Sequence, residues 1–182
     1  MIDRNTSLEA LGAIVCQALT DAGIDSFLSG GAVVSIYSRN RYESYDLDFV
    51  SFGDRRKIKN VMESLGFHQD RSRLFRHPGS IYMVEFPGTA VQVGEGPIKE
   101  FEQRVVDGNT LRLLTPTDCI KDRLAAYIHW KDHQSLEQAV LVALDQSFDS
   151  ARVETFCHQE GSLNAFEEFS RRVTEERSRP KK

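Results

Sequence analysis

Apolar residues recur at helical spacing near the start of the chain. Leu8, Leu11, Ile14, Val15, Ala18 and Leu19 share one face, which predicts a helix over residues 8–22. Thr6 with Glu9 has the form of a capping box at its start, and Gly23 can end it. A short strand, residues 26–29, then runs into Gly30 and Gly31, and Ala32, Val33, Ile36 and Tyr37 suit a short buried helix. Residues 45–51 read YDLDFVS. Strand alternation turns Leu47 and Phe49 one way and Asp46, Asp48 and Val50 the other. Ile58, Val61, Met62 and Leu65 mark one face of a helix over 54–65, which Gly66 stops. Residues 67–86 read as further strands around polar turns, clearest at 81–86, with short candidates at 90–93 and 110–114.

The pattern changes at Thr115 and Pro116, a good N-cap followed by a good first helical residue. Helices are expected over 116–129, 133–144, 150–159 and 163–176. The expected class is therefore α+β: a mixed sheet flanked by helices over 1–114, with a helical C-terminal region, 115–182, packed on that core.

The 182 residues are 40% hydrophobic and 27% charged, enough for a sizeable core and against global disorder. A net charge of -4 is against a general nucleic-acid binder, which needs many phosphate-neutralising cations. Cys16, Cys119 and Cys157 form no C-x-x-C pair, which is against a thiolate zinc site. No basic stretch precedes an apolar run, and no apolar run reaches membrane-spanning length. We expect a cytoplasmic protein without membrane contact.

Three acids and two glycines carry the candidate chemistry. A helix N-terminus offers unpaired N–H groups to a phosphate, and Gly30 and Gly31 allow close approach there. Ser29 can add a hydroxyl. Asp46 and Asp48 stand on one strand face, about 7 Å apart at Cα, where they can converge on a hard cation. The competing reading leaves both in water. Glu85 faces opposite to Val84 and Phe86, and its competing reading is an exposed residue paired with Arg76. Taken together, a phosphate-cradling turn, paired Asp and a third acid suit two-metal phosphoryl transfer.

The run LSGGAVVSIY from Leu28 to Tyr37, followed by ESYDLDFV from Glu43 to Val50, resembles the nucleotidyltransferase (polymerase-beta-like) superfamily. The likeness is to its bacterial minimal and toxin–antitoxin-associated members. The run DRLAAYIHWKDH from Asp122 to His133 is similar to the helical motif that follows their core. Gly31 stands where a serine is common, and Ser135 where an acid is common. The resemblance implies that Asp46, Asp48 and Glu85 hold two Mg2+ ions and perform catalysis. It also implies that Ser29, Gly30, Gly31 and Lys121 contact an NTP, with Arg123 and Lys131 as other candidates. The implied reaction transfers NMP to a hydroxyl of RNA, protein or a small molecule. The alternative it leaves is a non-catalytic protein of the same fold that binds a partner protein, as in a toxin–antitoxin pair.

Other residues have plainer readings. His129 and His133 are expected to be surface or structural, and Tyr127 and Trp130 to pack in the core. Arg71, Arg73, Arg76 and His77 form a basic stretch that can meet phosphates or solvent.

Overall fold

In the computed structural model, which describes residues 2–70, 73–87 and 100–179, helix α1 (Leu8–Asp21) buries Leu8, Leu11, Val15, Cys16 and Leu19 along its apolar stripe. Its cap is Ser7, whose Oγ accepts from the Ala10 amide at 3.2 Å. The expected capping box does not form. Thr6 Oγ1 instead accepts from Asp3 N at 2.9 Å, one turn earlier. Strand β1 (Ser26–Ser29) leads directly into α2 (Gly30–Tyr37), and β2 (Asp46–Ser51) into α3 (Arg55–Ser64), capped by Asp54. Three short strands follow: β3 (His68–Gln69), β4 (Leu74–Arg76) and β5 (Met83–Glu85). The strand expected at 90–93 lies outside the described residues.

Strand β6 (Phe101–Val106) was not anticipated by the apolar pattern. It pairs antiparallel with β7 (Asn109–Leu114) through a tight turn with Asp107 and Gly108 at positive φ. The C-terminal helices are α4 (Pro116–Trp130), α5 (His133–Asp145), α6 (Ser150–Gln159) and α7 (Leu163–Ser178). Among the described residues, no helix is long and apolar enough to cross a membrane.

The seven strands among the described residues form one mixed sheet in the order β3-β4-β5-β2-β1-β7-β6. The β2–β5 and β1–β7 pairs are parallel and the rest antiparallel. One sheet face carries Leu28, Leu47, Phe49, Val84 and Leu111, all buried beneath α1 and α3. The other face meets α2, which packs on β1 and β2, and α4, which packs on β7 and α2. Tyr37 ties these layers: its buried Oη donates to Leu114 O at 2.6 Å, and its carbonyl accepts from Gln146 Nε2 at 2.9 Å. The α/β core and the helical region thus share one apolar interior.

Candidate active site

The β1–β2 and β2–β5 pairings set the site's geometry. Ser29 lies opposite Asp48 in the β1–β2 pair, and Asp48 lies opposite Glu85 in the β2–β5 pair. Neighbouring strands are about 4.8 Å apart, so Asp48 and Glu85 are side by side on one face. Asp46, two residues earlier, shares that face and is exposed at the first position of β2. Glu85 is only partly buried. The competing reading, a pairing of Glu85 with Arg76, is not what the structure shows: Arg76 Nε contacts Asp70 Oδ2 at 3.2 Å.

Ser29, Gly30 and Gly31 meet this group at the start of α2. Ser29 Oγ donates to the Asp48 carbonyl at 3.1 Å, which fastens the turn to β2 and commits that hydroxyl. Gly30 has φ +67, in the left-handed region that glycine tolerates best. A Cβ there would stand 2.5 Å from Asp48 Oδ2, so the carboxylate lies directly against the glycine backbone. A Cβ on Gly31 would press Ser44 Oγ at 3.2 Å and the Tyr42 ring at 3.3 Å. Ser35 Oγ donates to Gly31 O and accepts from Ser44 N, which holds the loop entering β2 against α2.

Electrostatics follow from this crowding. Burial pushes the Asp48 carboxyl up to about 6, and the nearby Glu85 charge adds to it. Arg123 pulls the other way, while Asp46 and Asp122 raise it further. Arg123 reaches this group from α4. Its Nε and Nη2 donate to Asp122 Oδ2 at 3.0 and 2.6 Å, and its Nη1 donates to Gln138 Oε1 at 3.2 Å. Burial works against its charge, but the Asp122 carboxylate outweighs this and raises its pKa.

Lys121 is not brought into the group. Its Nζ contacts Asp118 Oδ1 at 3.1 Å, and its side chain is 12% exposed. Residues two apart on a helix point about 200° apart, so Arg123 and Lys121 leave α4 on different sides. Sequence reasoning named both but gave the nucleotide role to Lys121. The available signal was Gln138, a buried amide in an apolar helix that needs a partner.

Ser135, where an acid is common, has a capping role. Its Oγ donates to Asp132 Oδ2 at 2.7 Å, and this hydrogen bond holds the Asp132 carboxyl below its ordinary range. His129 contacts Glu160 at 2.7 Å, whereas His133 stacks edge-on to Tyr127, so the two imidazoles have separate partners. Trp130 is 77% exposed, against the expected core packing.

Among the described residues, no group of three or more His, Cys, Asp or Glu is arranged to hold a metal ion. Asp46, Asp48 and Glu85 are neighbours on one face but form an open set. Their oxygens are hard donors, and Asp48 is seated against a backbone cradle that a Cβ would fill. This donor set fits Mg2+, which keeps several waters and takes substrate phosphates as ligands, so that one or two carboxylates suffice.

No protein-family model and no curated protein matches the sequence. Solved structures do match its fold. An antigenic nucleotidyltransferase-like protein from Paracoccidioides brasiliensis superposes with a TM-score of 0.59 at 14% identity, over 97% of this chain and 91% of that one. The antibiotic-resistance factor ANT(2'')-Ia, in its solution structure, superposes at 0.54 with 15% identity, over 93% and 96%. Its crystal structure in complex with adenylyl-2''-tobramycin gives 0.54 and 15%, over 91% and 97%. The chain has a nucleotidyltransferase-like fold.

Proposed function

We propose that the protein is a Mg2+-dependent nucleotidyltransferase that moves NMP from an NTP to an acceptor hydroxyl. The observation that carries this reading is Asp48: its carboxylate lies between the Gly30 backbone and Glu85, with Asp46 on the same strand face. That arrangement joins a phosphate cradle to oxygen ligands, as the transfer requires.

Asp46 and Asp48 would hold the metal, with Glu85 completing the set. Bound Mg2+ would supply charge neutralisation on the phosphate oxygens. Backbone N–H groups at the start of α2 would receive the β and γ phosphates, helped by the helix dipole. Glu85 would take the proton as the acceptor oxygen bonds to the α-phosphorus and pyrophosphate departs. Arg123 would offset the clustered negative charge, with Asp122 and Gln138 fixing its direction.

Labelled NTPs with Mg2+ and RNA, protein or tobramycin as acceptors test the reading. The antibiotic enters because the ANT(2'')-Ia crystal complex contains its adenylylated form. Acceptor-dependent label transfer, lost in Asp48→Asn, is the expected result. Absence of transfer, with metal and NTP binding unchanged in Asp46→Asn, would reject catalysis.

The open carboxylate set favours one second reading, a partner-binding protein of this fold such as a toxin–antitoxin component. Stable co-purification with a partner, without Mg2+–NTP binding, distinguishes it.

A further inference from the structure

Helix α3 begins against electrostatic preference. Arg55, Arg56 and Lys57 fill its first turn, which contains no acid. Cations there oppose the positive end of the helix dipole. Asp54 caps the end by accepting from the Arg56 and Lys57 amides, but it supplies one negative charge against three positive ones.

Beside this turn lies a cavity of about 320 Å³. Arg55, Arg56 and Lys59 from α3 line it, with Arg73 from the turn before β4. Its floor is Phe75 and Phe86, whose rings meet edge to face at 5.7 Å. No acid lines it. Lys59 reaches Glu63 at 3.7 Å along the helix. Arg55, Arg56 and Arg73 have no ion-pair partner among the described residues.

Unpaired guanidinium groups over an aromatic floor call for an anion with a flat apolar part. Guanidinium binds phosphate through paired N–H groups, and a nucleobase can lie against phenylalanine. The volume is near the lower end of the roughly 300–1,000 Å³ of ligand pockets, which suits one nucleoside monophosphate unit. We propose that this cleft is a second nucleotide-binding site, with the base on Phe86 and the phosphate among the four cations.

The cleft is separate from the carboxylates. Phe86 stacks on Phe49, which faces away from Asp48, and α3 follows the far end of β2. That end is roughly 16 Å from Asp46 and roughly 10 Å from Asp48 at about 3.3 Å per residue, and Glu85, which precedes Phe86 in the chain, shares the opposite sheet face with Asp48. The proposal therefore does not depend on turnover at Asp48. The nucleotide can be free or one unit of a single strand.

Titrating full-length protein with AMP in EDTA tests the cleft while chelating any metal that would assist the carboxylate site. Inorganic phosphate is the control for the apolar floor. A labelled ten-nucleotide single-stranded RNA is the competitor that separates the two sources. AMP should bind at least about tenfold tighter than phosphate. Asp48→Asn should leave this unchanged, and exposed Arg55→Glu with Arg56→Glu should weaken it about tenfold or more. Arg73→Gln provides a milder independent loss. RNA that displaces AMP, and is itself weakened by the double variant, identifies a strand as the source. RNA that does not displace AMP identifies the free nucleotide. Equal affinity for AMP and phosphate overturns the proposal, as does unchanged AMP binding in the double variant or loss of binding in Asp48→Asn alone.

Discussion

The two faces of β2 differ in what covers them. Leu47 and Phe49 are fully buried under α1 and α3, in contact with the same interior that holds Leu28 and Val84. Asp46 and Asp48 point to the other face, where α2 and α4 pack over β1, β2 and β7. Glu85 and Leu74, farther along that face, are only partly buried. Helix cover thus thins at Asp48. A carboxylate at such a boundary is desolvated enough to be perturbed and still accessible to a substrate. The same two-residue repeat therefore makes one face structural and leaves the other open for the chemistry proposed above.

The largest effects should separate the faces. Phe49→Ala should destabilise the fold by about 3–5 kcal/mol in urea denaturation, because it leaves a cavity in a close-packed layer. Any loss of transfer should follow the folded fraction. Asp48→Asn should instead leave a well-folded protein whose transfer rate falls about 10²–10³-fold. Should both variants lose activity only through unfolding, the functional distinction between the faces is wrong.

Asp48 also gives the comparison a pH signature. Its folded pKa, about 6, is raised from 3.8 by burial and then by Glu85. The native state therefore binds the proton more tightly than the unfolded chain. The stabilising contribution is full below pH 3.8 and is lost as pH climbs through about 6. In EDTA, wild type should lose roughly 2–3 kcal/mol relative to Asp48→Asn between pH 4 and pH 8. Parallel stability profiles for the two proteins would remove desolvation from the account.

Gly30→Ala should cost about 1–2 kcal/mol, since alanine at φ +67 is strained. It should also reduce transfer, because its Cβ would meet Asp48 Oδ2 at 2.5 Å and move that carboxylate. Thermal melts and single-turnover transfer measure the two losses separately.

Local pattern fixes much of this arrangement, and long-range pairing fixes the rest. The period of Leu8, Leu11, Val15 and Leu19 made α1 readable, because a helix displays its buried face every few residues. Alternation alone placed Asp46 and Asp48 together. The register that sets Asp48 beside Glu85 joins two separate strands and cannot be read from either. Strand β6 was hidden for a related reason. It is an edge strand with Val105 exposed, and its pairing with β7 is what defines it. Thr6 and Glu9 matched a capping box, but Ser7 is one residue closer to the first turn and took the amide.

The choice between Lys121 and Arg123 sharpens the comparison with the smallest effect. Both are cations on α4, and sequence cannot say which side of that helix meets the sheet. The fold directs Arg123 toward Asp48 and leaves Lys121 on Asp118, which also has Arg152 Nη2 at 3.6 Å. Arg123→Gln should lower transfer about 10–100-fold, the range for groups that orient a metal site. Lys121→Gln should cost only about 1 kcal/mol of stability, since Asp118 keeps other partners. Its kcat/KM should stay within about twofold of wild type, a difference well under 1 kcal/mol. A transfer defect in Lys121→Gln equal to that of Arg123→Gln would mean that the cleft recruits the opposite side of α4, and that the boundary of helix cover at Asp48 does not define the site.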